Sequence, residues 1–288
     1  MTHAATAGYV APVPPAAAPA DADIDDFSLA TRVVPTGDPG QFRAEVPEGW
    51  QQGRGAFGGL VLGALARAMA ASEPEPDRTL RSLTAELFAP VLVGPAEVRV
   101  EALRRGSGVS SYDARIAQGG ELLARASATF GRPRRDRRRW SPPEPPPAAA
   151  WGEAPVLDVR PPLGPPFARF FEYRPTGPAI FGGGSEAITS GWVRPRRPLA
   201  SFGGPELVAL ADAWWPATFS IDSAPRPAAT LSYAIEFSWD GTPLPADRPL
   251  FYRARAVAAC DGFVVEMREL WTLEGQALAF NQQTFVLI

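Results

Sequence analysis

"SFGGPELVALADAW" (Ser201–Trp214) repeats, without a gap, the pattern of "AFGGLVLGALARAM" (Ala56–Met69). Both stretches carry Phe-Gly-Gly, four further residues, and then Ala-Leu-Ala-x-Ala. An internal repeat decides architecture before any single element does. The flanks extend the match. Pro35-Thr36-Gly37 parallels Pro175-Thr176-Gly177, and Gly49-Trp50 parallels Gly191-Trp192. Downstream, Ser82-Leu83 aligns with Thr230-Leu231, and "ASATF" (Ala126–Phe130) with "NQQTF" (Asn281–Phe285). The chain reads as a tandem duplication.

Each half shows the same order. Extended segments come first: "FSLATRVV" and "FRAEVPEG", then "FARFFEYR" and "EAITSGWV". One helix follows, opened by Gly-Gly; in the second half the helical reading runs over "ELVALADAWWPATF" (Glu206–Phe219), with Pro205 where a first-turn proline is tolerated. Strands are predicted over Leu80–Pro90, Ala96–Arg105, Val109–Ala117 and Leu122–Phe130. Their counterparts are Ala229–Trp239, Leu250–Ala259, Phe263–Leu273 and Ala277–Ile288. Period-two alternation in "EVRVEAL" and "LFYRARAV" marks half-buried strands. One helix and an antiparallel sheet, twice, is an α+β fold. A helix as apolar as "LVLGALARAMA" must be wrapped by its sheet. Two linked copies would join sheets edge to edge and hide their edge strands.

The boundaries follow. Residues 1–26 read as a disordered Ala/Pro-rich tail, 27–131 as the first unit, 132–166 as a surface linker rich in Pro and Arg, and 167–288 as the second unit. Proline excludes that linker from helix interiors and central strands. Its run of Arg132, Arg134, Arg135, Arg137, Arg138 and Arg139 reads as a solvated stretch, with phosphate contact as the other option.

Composition removes several chemistries. The only histidine is His3, in the tail, which excludes Ser-His-Asp and Cys-His catalysis in the folded part. Most zinc sites fall with it. A lone Cys260 allows no internal disulfide and reads as a small buried or half-buried hydrophobe. The net charge of −3 argues against nucleic-acid binding. No signal peptide and no apolar run of membrane-spanning length is found, so a cytoplasmic location is expected. Chemistry must rest on carboxylates, hydroxyls, amides and backbone groups.

"FGGLVLGAL", "LADAWWP", "ATLSYAIEF" and "EGQALAFNQQTFVLI", in this order and in a tandem frame, resemble the double-hotdog acyl-CoA thioesterases of the thioesterase II (TesB-like) type. The resemblance spans residues 27–288, less the linker. It implies a double hotdog fold, an acyl-CoA substrate, no cofactor beyond the CoA of that substrate, and association into a homo-oligomer. It also implies a water activated by an Asp, a Thr and a Gln, which by position are Asp212, Thr230 and Gln283. Gln282 leaves a one-residue ambiguity, and a one-residue slip turns a strand side chain to the other face. In the repeat these positions align with Arg67, Ser82 and Ala128, so the polar trio is complete in one half only.

Asp212 would be the general base, with Thr230 and Gln283 holding the water. Backbone N–H groups of Gly58 and Gly59 at a helix N-terminus would meet the oxyanion. Phe202, Trp214 and Trp215 would flank Asp212 and line an acyl channel. Other readings stand beside these: Asp212 as a solvent-facing acid or one paired with an arginine, the tryptophans as core, the glycines as close-packing residues. At the level of the whole chain, the alternative is a non-catalytic acyl-CoA or acyl-carrier-protein binding protein, or a duplicated interaction module. A hydratase of this fold, which usually needs an Asp/His pair, lacks its histidine.

Overall fold

The structure is a computed structural model that describes residues 27–136, 148–199 and 202–288. The tail with His3, and Arg137, Arg138 and Arg139, lie outside the described residues.

In chain order the elements are α1 (Phe27–Ala30), β1 (Val33–Pro35), β2 (Gln41–Val46), β3 (Gln51–Gln52), β4 (Gly55–Ala56), α2 (Gly58–Ser72), β5 (Thr79–Leu87), β6 (Gly94–Arg105), β7 (Val109–Gln118) and β8 (Glu121–Gly131). The second half holds β9 (Phe171–Pro175), β10 (Ile188–Pro195), α3 (Gly204–Leu210), β11 (Ala228–Phe237), β12 (Leu250–Cys260), β13 (Phe263–Trp271) and β14 (Ala277–Leu287). Short 3₁₀ turns occupy Pro166–Phe170 and Ala217–Ser220.

Twelve strands form one sheet in the order β1-β2-β6-β7-β8-β5-β11-β14-β13-β12-β10-β9. The order is a palindrome of equivalent strands about the β5–β11 pair. There Ser82 faces Glu236 and Glu86 faces Ser232 in antiparallel register, so the two inner edges are closed. The α+β tandem hotdog is the observed fold. α2 is buried on nearly every side, from Gly59 to Met69, and rests on β5–β8 and on α3. The helices meet through small residues: a Cβ on Gly59 would lie 2.5 Å from the Ala209 carbonyl oxygen.

The start of α2 is clamped by rings. Phe57 stacks on Phe167 at 4.2 Å and Trp50 on Phe170 at 4.2 Å, with Phe171 edge-on to both Trp50 and Phe57. Each such contact adds about 0.5–1.5 kcal/mol beyond area burial. They tie the first half's helix terminus to the second half's chain.

Several expectations are corrected. "FSLA" forms the short helix α1 rather than a strand, and Thr31 closes it by a side-chain bond to the Phe27 carbonyl at 2.9 Å. α3 stops at Leu210 instead of running to Phe219. Pro216 has no N–H to continue the helix, and its ring would crowd the carbonyl of Asp212 four residues back; the N–H groups of Asp212 and Ala213 bond three residues back instead. The linker is not simply solvated beyond residue 147. Trp151 lies between Arg174 (4.2 Å) and Arg194 (4.8 Å), Leu157 bridges to Tyr173, and Val159 is buried. Cys260 is exposed. Of the arginine run, Arg132 pairs with Glu75 and Asp77.

Candidate active site

Asp212 sits two residues beyond the last residue of α3, where the chain has left the α-helix. It is 8 % exposed. Its Oδ1 accepts from Gln283 Nε2 at 3.0 Å and from Arg268 Nη1 at 3.1 Å, and the Gly59 N–H donates to the same carboxylate. Oδ2 faces the first turn of α2: a Cβ on Gly58 would be 2.7 Å from it.

Gln283 is fully buried on β14, while Gln282 is exposed on the other face. The strand's period of two makes that choice. Gln283 Nε2 also donates to Asn281 Oδ1 at 3.1 Å, and its Oε1 accepts from Thr230 Oγ1 at 3.2 Å. The amide is thus oriented from both ends. Thr230 is half-buried at the open side of the group. The structure therefore brings Asp212, Gln283 and Thr230 into one chain of hydrogen bonds.

Two further groups were not singled out from the sequence. Arg268 is 3 % exposed on β13. Its Nε donates to Glu266 Oε1 at 2.7 Å, and its Nη1 also donates to the Ala211 carbonyl at 3.1 Å. Glu266 is fully buried, and its Oε2 accepts the Ala217 N–H at 2.7 Å. Glu266 lies opposite Gln283 and Arg268 opposite Asn281 in the β13–β14 ladder. The four form a polar strip across the inner face of the sheet. Two readings of Asp212 meet here: it is paired with an arginine, and it is gripped by the Gln and, through it, the Thr.

Burial pushes the Asp212 carboxyl above the usual range, against the pull of Arg268 and Gln283 toward the charged form. Glu266 is raised by burial in the same way, again opposed by Arg268. Burial would lower Arg268, but the neighbouring acids outweigh it and the guanidinium stays charged. Among the described residues no cluster of His, Cys, Asp and Glu suits a metal ion.

A cavity of about 420 Å³ lies beside the group. Its walls include Trp214, Trp215, Phe181, Phe219, Phe167 and Tyr173. Ala213, next to Asp212, and Ala228, on the same strand face as Thr230, reach it from the polar side. Val159, Pro162, Leu163 and Pro165 of the linker complete the wall, a role its composition did not announce. Trp214 stacks on Tyr252 with centroids 5.2 Å apart and donates to Thr189 Oγ1 at 2.8 Å. Phe202, expected beside Asp212, is corrected: it is buried at the opposite end of α3, with its carbonyl accepting the Leu244 N–H, and lines no part of this cavity. Gly59 turns its N–H to Asp212 rather than to open space.

The equivalent place in the other half is filled. Arg67 Nη2 donates to Glu206 Oε1 at 2.6 Å and to Thr31 Oγ1 at 2.9 Å, and Glu206 Oε2 caps the Gly203 N–H at 2.8 Å. The repeat also needs one shift. Both central strands carry an irregularity, between Leu80 and Ser82 in β5 and between Thr230 and Ser232 in β11. Thr230 pairs with Phe285 as Leu80 pairs with Phe130, so its counterpart is Leu80, not Ser82. The first half offers arginine, leucine and alanine where the second has aspartate, threonine and glutamine.

Residues 46–131 match the acyl-CoA thioesterase N-terminal domain family, and residues 141–287 match the acyl-CoA thioesterase C-terminal domain family. The chain belongs to the acyl-CoA thioesterase family. This thioesterase is a thioester hydrolase by that membership. A search of curated proteins found no match. Among solved structures, the thioesterase is similar to a hot dog protein of unknown function from Alicyclobacillus acidocaldarius, with TM-score 0.81, 25% identity, and coverage of 91% of this chain and 97% of that one. A candidate thioesterase II from Thermobifida fusca gives TM-score 0.78 and 20% identity over 91% of this chain and 97% of its own. An acyl-CoA thioesterase II from Mycobacterium marinum gives 0.72 and 18% over 91% and 98%. At these identities the last two establish the fold.

Proposed function

We infer that the chain hydrolyses fatty acyl-CoA through a water activated by Asp212, with Thr230 and Gln283 as the groups that orient it. The observation carrying this reading is the state of the two Asp212 oxygens. Oδ1 is held by Gln283 and Arg268, while Oδ2 is turned to the glycine turn of α2.

Oδ2 takes the proton from water as the water oxygen bonds to the thioester carbonyl carbon. Thr230 spends its own proton on Gln283, so its oxygen accepts the water's second hydrogen. Gly58, the first residue of α2, has an N–H with no intrahelical partner and suits the developing oxyanion. Collapse of the tetrahedral intermediate breaks the C–S bond. The departing sulfur takes the proton back from Asp212, giving CoA thiol and a fatty acid. The aromatic cavity suits an apolar acyl chain.

The test is CoA thiol release from a series of acyl-CoA esters by wild type and Asp212→Asn. General-base loss lowers kcat by about 10²–10⁴-fold. Unchanged turnover in the variant would remove Asp212 from the mechanism. The reading places no cofactor in the reaction.

A further inference from the structure

The mechanism above leaves unused a buried guanidinium and a second buried acid. Arg268 and Glu266 are 3 % and 0 % exposed, on a sheet face that is otherwise apolar at Val264 and Leu270. Burying a guanidinium is costly, and its partners decide whether it stays. Here Arg268 bonds one acid through Nε and the other through Nη1. With all three ionised the cluster carries two negative charges and one positive.

We propose that Arg268 and Glu266 are positioning residues that together set the working charge of Asp212: the guanidinium keeps the carboxylate ionised and aims Oδ2 at Gly58, and Glu266 fixes the guanidinium while opposing that ionisation. The proposal rests on the thioesterase reading of Asp212.

The surroundings leave few other determinants. On β14 the facing groups are the neutral Gln283 and Asn281, and on α2 the Gly59 N–H. β11 contributes Thr230 and Tyr233, whose hydroxyl donates to the Val208 carbonyl at 2.7 Å. β12 contributes Tyr252, and both phenols are pushed far up by burial and stay neutral. Among the described residues, the fixed charges near Asp212 are therefore those of Arg268 and Glu266. Glu266 has a second duty. By accepting the Ala217 N–H it ties the guanidinium to the 3₁₀ turn that follows Trp214 and Trp215, so the charge cluster and the cavity wall share one anchor.

Opposite charges predict opposite displacements of the acid limb of kcat against pH. Arg268→Met removes the positive neighbour, so Asp212 stays protonated to higher pH and the limb moves up by about one pH unit or more. Glu266→Gln removes the negative neighbour and keeps a bond acceptor for Arg268, so the limb moves down. Arg268→Lys restores a charge without the two-pronged geometry, so the limb returns toward wild type while kcat remains reduced. KM for one acyl-CoA is expected to hold within about twofold in the two Arg268 variants; Glu266→Gln, whose single amide oxygen cannot serve both Arg268 and the Ala217 N–H, is judged on the limb alone. A merely structural pair would lower the folded fraction without moving the limb. Shifts of the same sign, or no shift in Glu266→Gln, overturn the proposal. Should Arg268→Met fail to fold, Glu266→Gln and Arg268→Lys decide alone by the same criteria. Asp212→Asn, measured in parallel, separates the two ideas: full activity there removes the underlying mechanism, whereas its loss without limb shifts removes only the roles of Arg268 and Glu266.

Discussion

Gly58, from the first half, leaves no room for a Cβ beside Asp212, from the second: the added carbon would sit 2.7 Å from Oδ2. One site is thus assembled from both halves of the repeat. Gly58→Ala is expected to push the carboxylate out of line and lower kcat by about 10²-fold, as small misplacements do. Its melting temperature should fall as well, because displacing the carboxylate disturbs its buried bonds to Gln283 and Arg268, which outweighs the gain of about 1 kcal/mol that alanine brings to a helix. Steady-state kinetics with a melt on the same sample checks both, and wild-type kcat would contradict the contact.

Gln283 and Gln282 provide a matched pair on one strand. Gln283→Ala leaves Oδ1 of Asp212 and Oγ1 of Thr230 without their shared partner. Its kcat is expected to fall by about 10²-fold, a loss of positioning. Gln282→Ala, on the exposed face, should leave kcat within about twofold and stability within about 0.5 kcal/mol. A loss in Gln282→Ala with Gln283→Ala near wild type would place the register one residue away.

Trp215, from the second half, and Leu163, from the linker, face the same cavity. Trp215→Ala removes apolar wall, so KM is expected to rise more for acyl chains that reach it than for acetyl-CoA. A series of chain lengths gives the comparison. A uniform change across the series would mean the acyl group lies elsewhere.

Glu172 is pushed up by burial, but bonds from Arg174 at 2.8 Å and Arg194 at 2.9 Å outweigh that and hold its carboxyl below the ordinary value. Its folded-state pKa is depressed, so its stabilisation is present above the unfolded value, about 4.3, and is lost as pH falls through the folded one. Melting temperature against pH in Glu172→Gln is expected to fall less steeply below about pH 4.3 than in wild type. Parallel curves would dissociate Glu172 from acid unfolding.

The fold was legible because it rests on periodicity. The repeated Phe-Gly-Gly helix and the alternating strands state the tandem arrangement, and the β5–β11 seam follows from two sheets with edges to close. The Asp, Thr and Gln were reached through resemblance and the repeat, and the strand period separated Gln283 from Gln282. Arg268 and Glu266 were hidden by the same rule. In "FVVEMRELW" the positions of Phe263, Val265 and Met267 look like the buried face, yet they are exposed or half-buried and Glu266 and Arg268 are the ones turned inward. A face that buries an ion pair defeats a hydrophobicity pattern. The Ser82-Leu83 and Thr230-Leu231 pairs match Thr230 to Ser82, whereas the cross-strand partners Phe130 and Phe285 set it opposite Leu80; a connection of different length between helix and strand leaves no trace in composition. The linker's packing was missed because proline reports what a segment cannot be, not what it rests against.

The Arg67–Glu206 bridge occupies in one half the place that Asp212 occupies in the other. In a symmetric pair of identical subunits a substitution is always made twice, so a cation for cohesion at one of two matching positions and an acid for chemistry at the other could never be chosen separately. Joining the copies in one chain lifts that restriction. Each position then answers to its own selection, one for holding the molecule together and one for turnover, and an active-site titration should count a single centre per polypeptide.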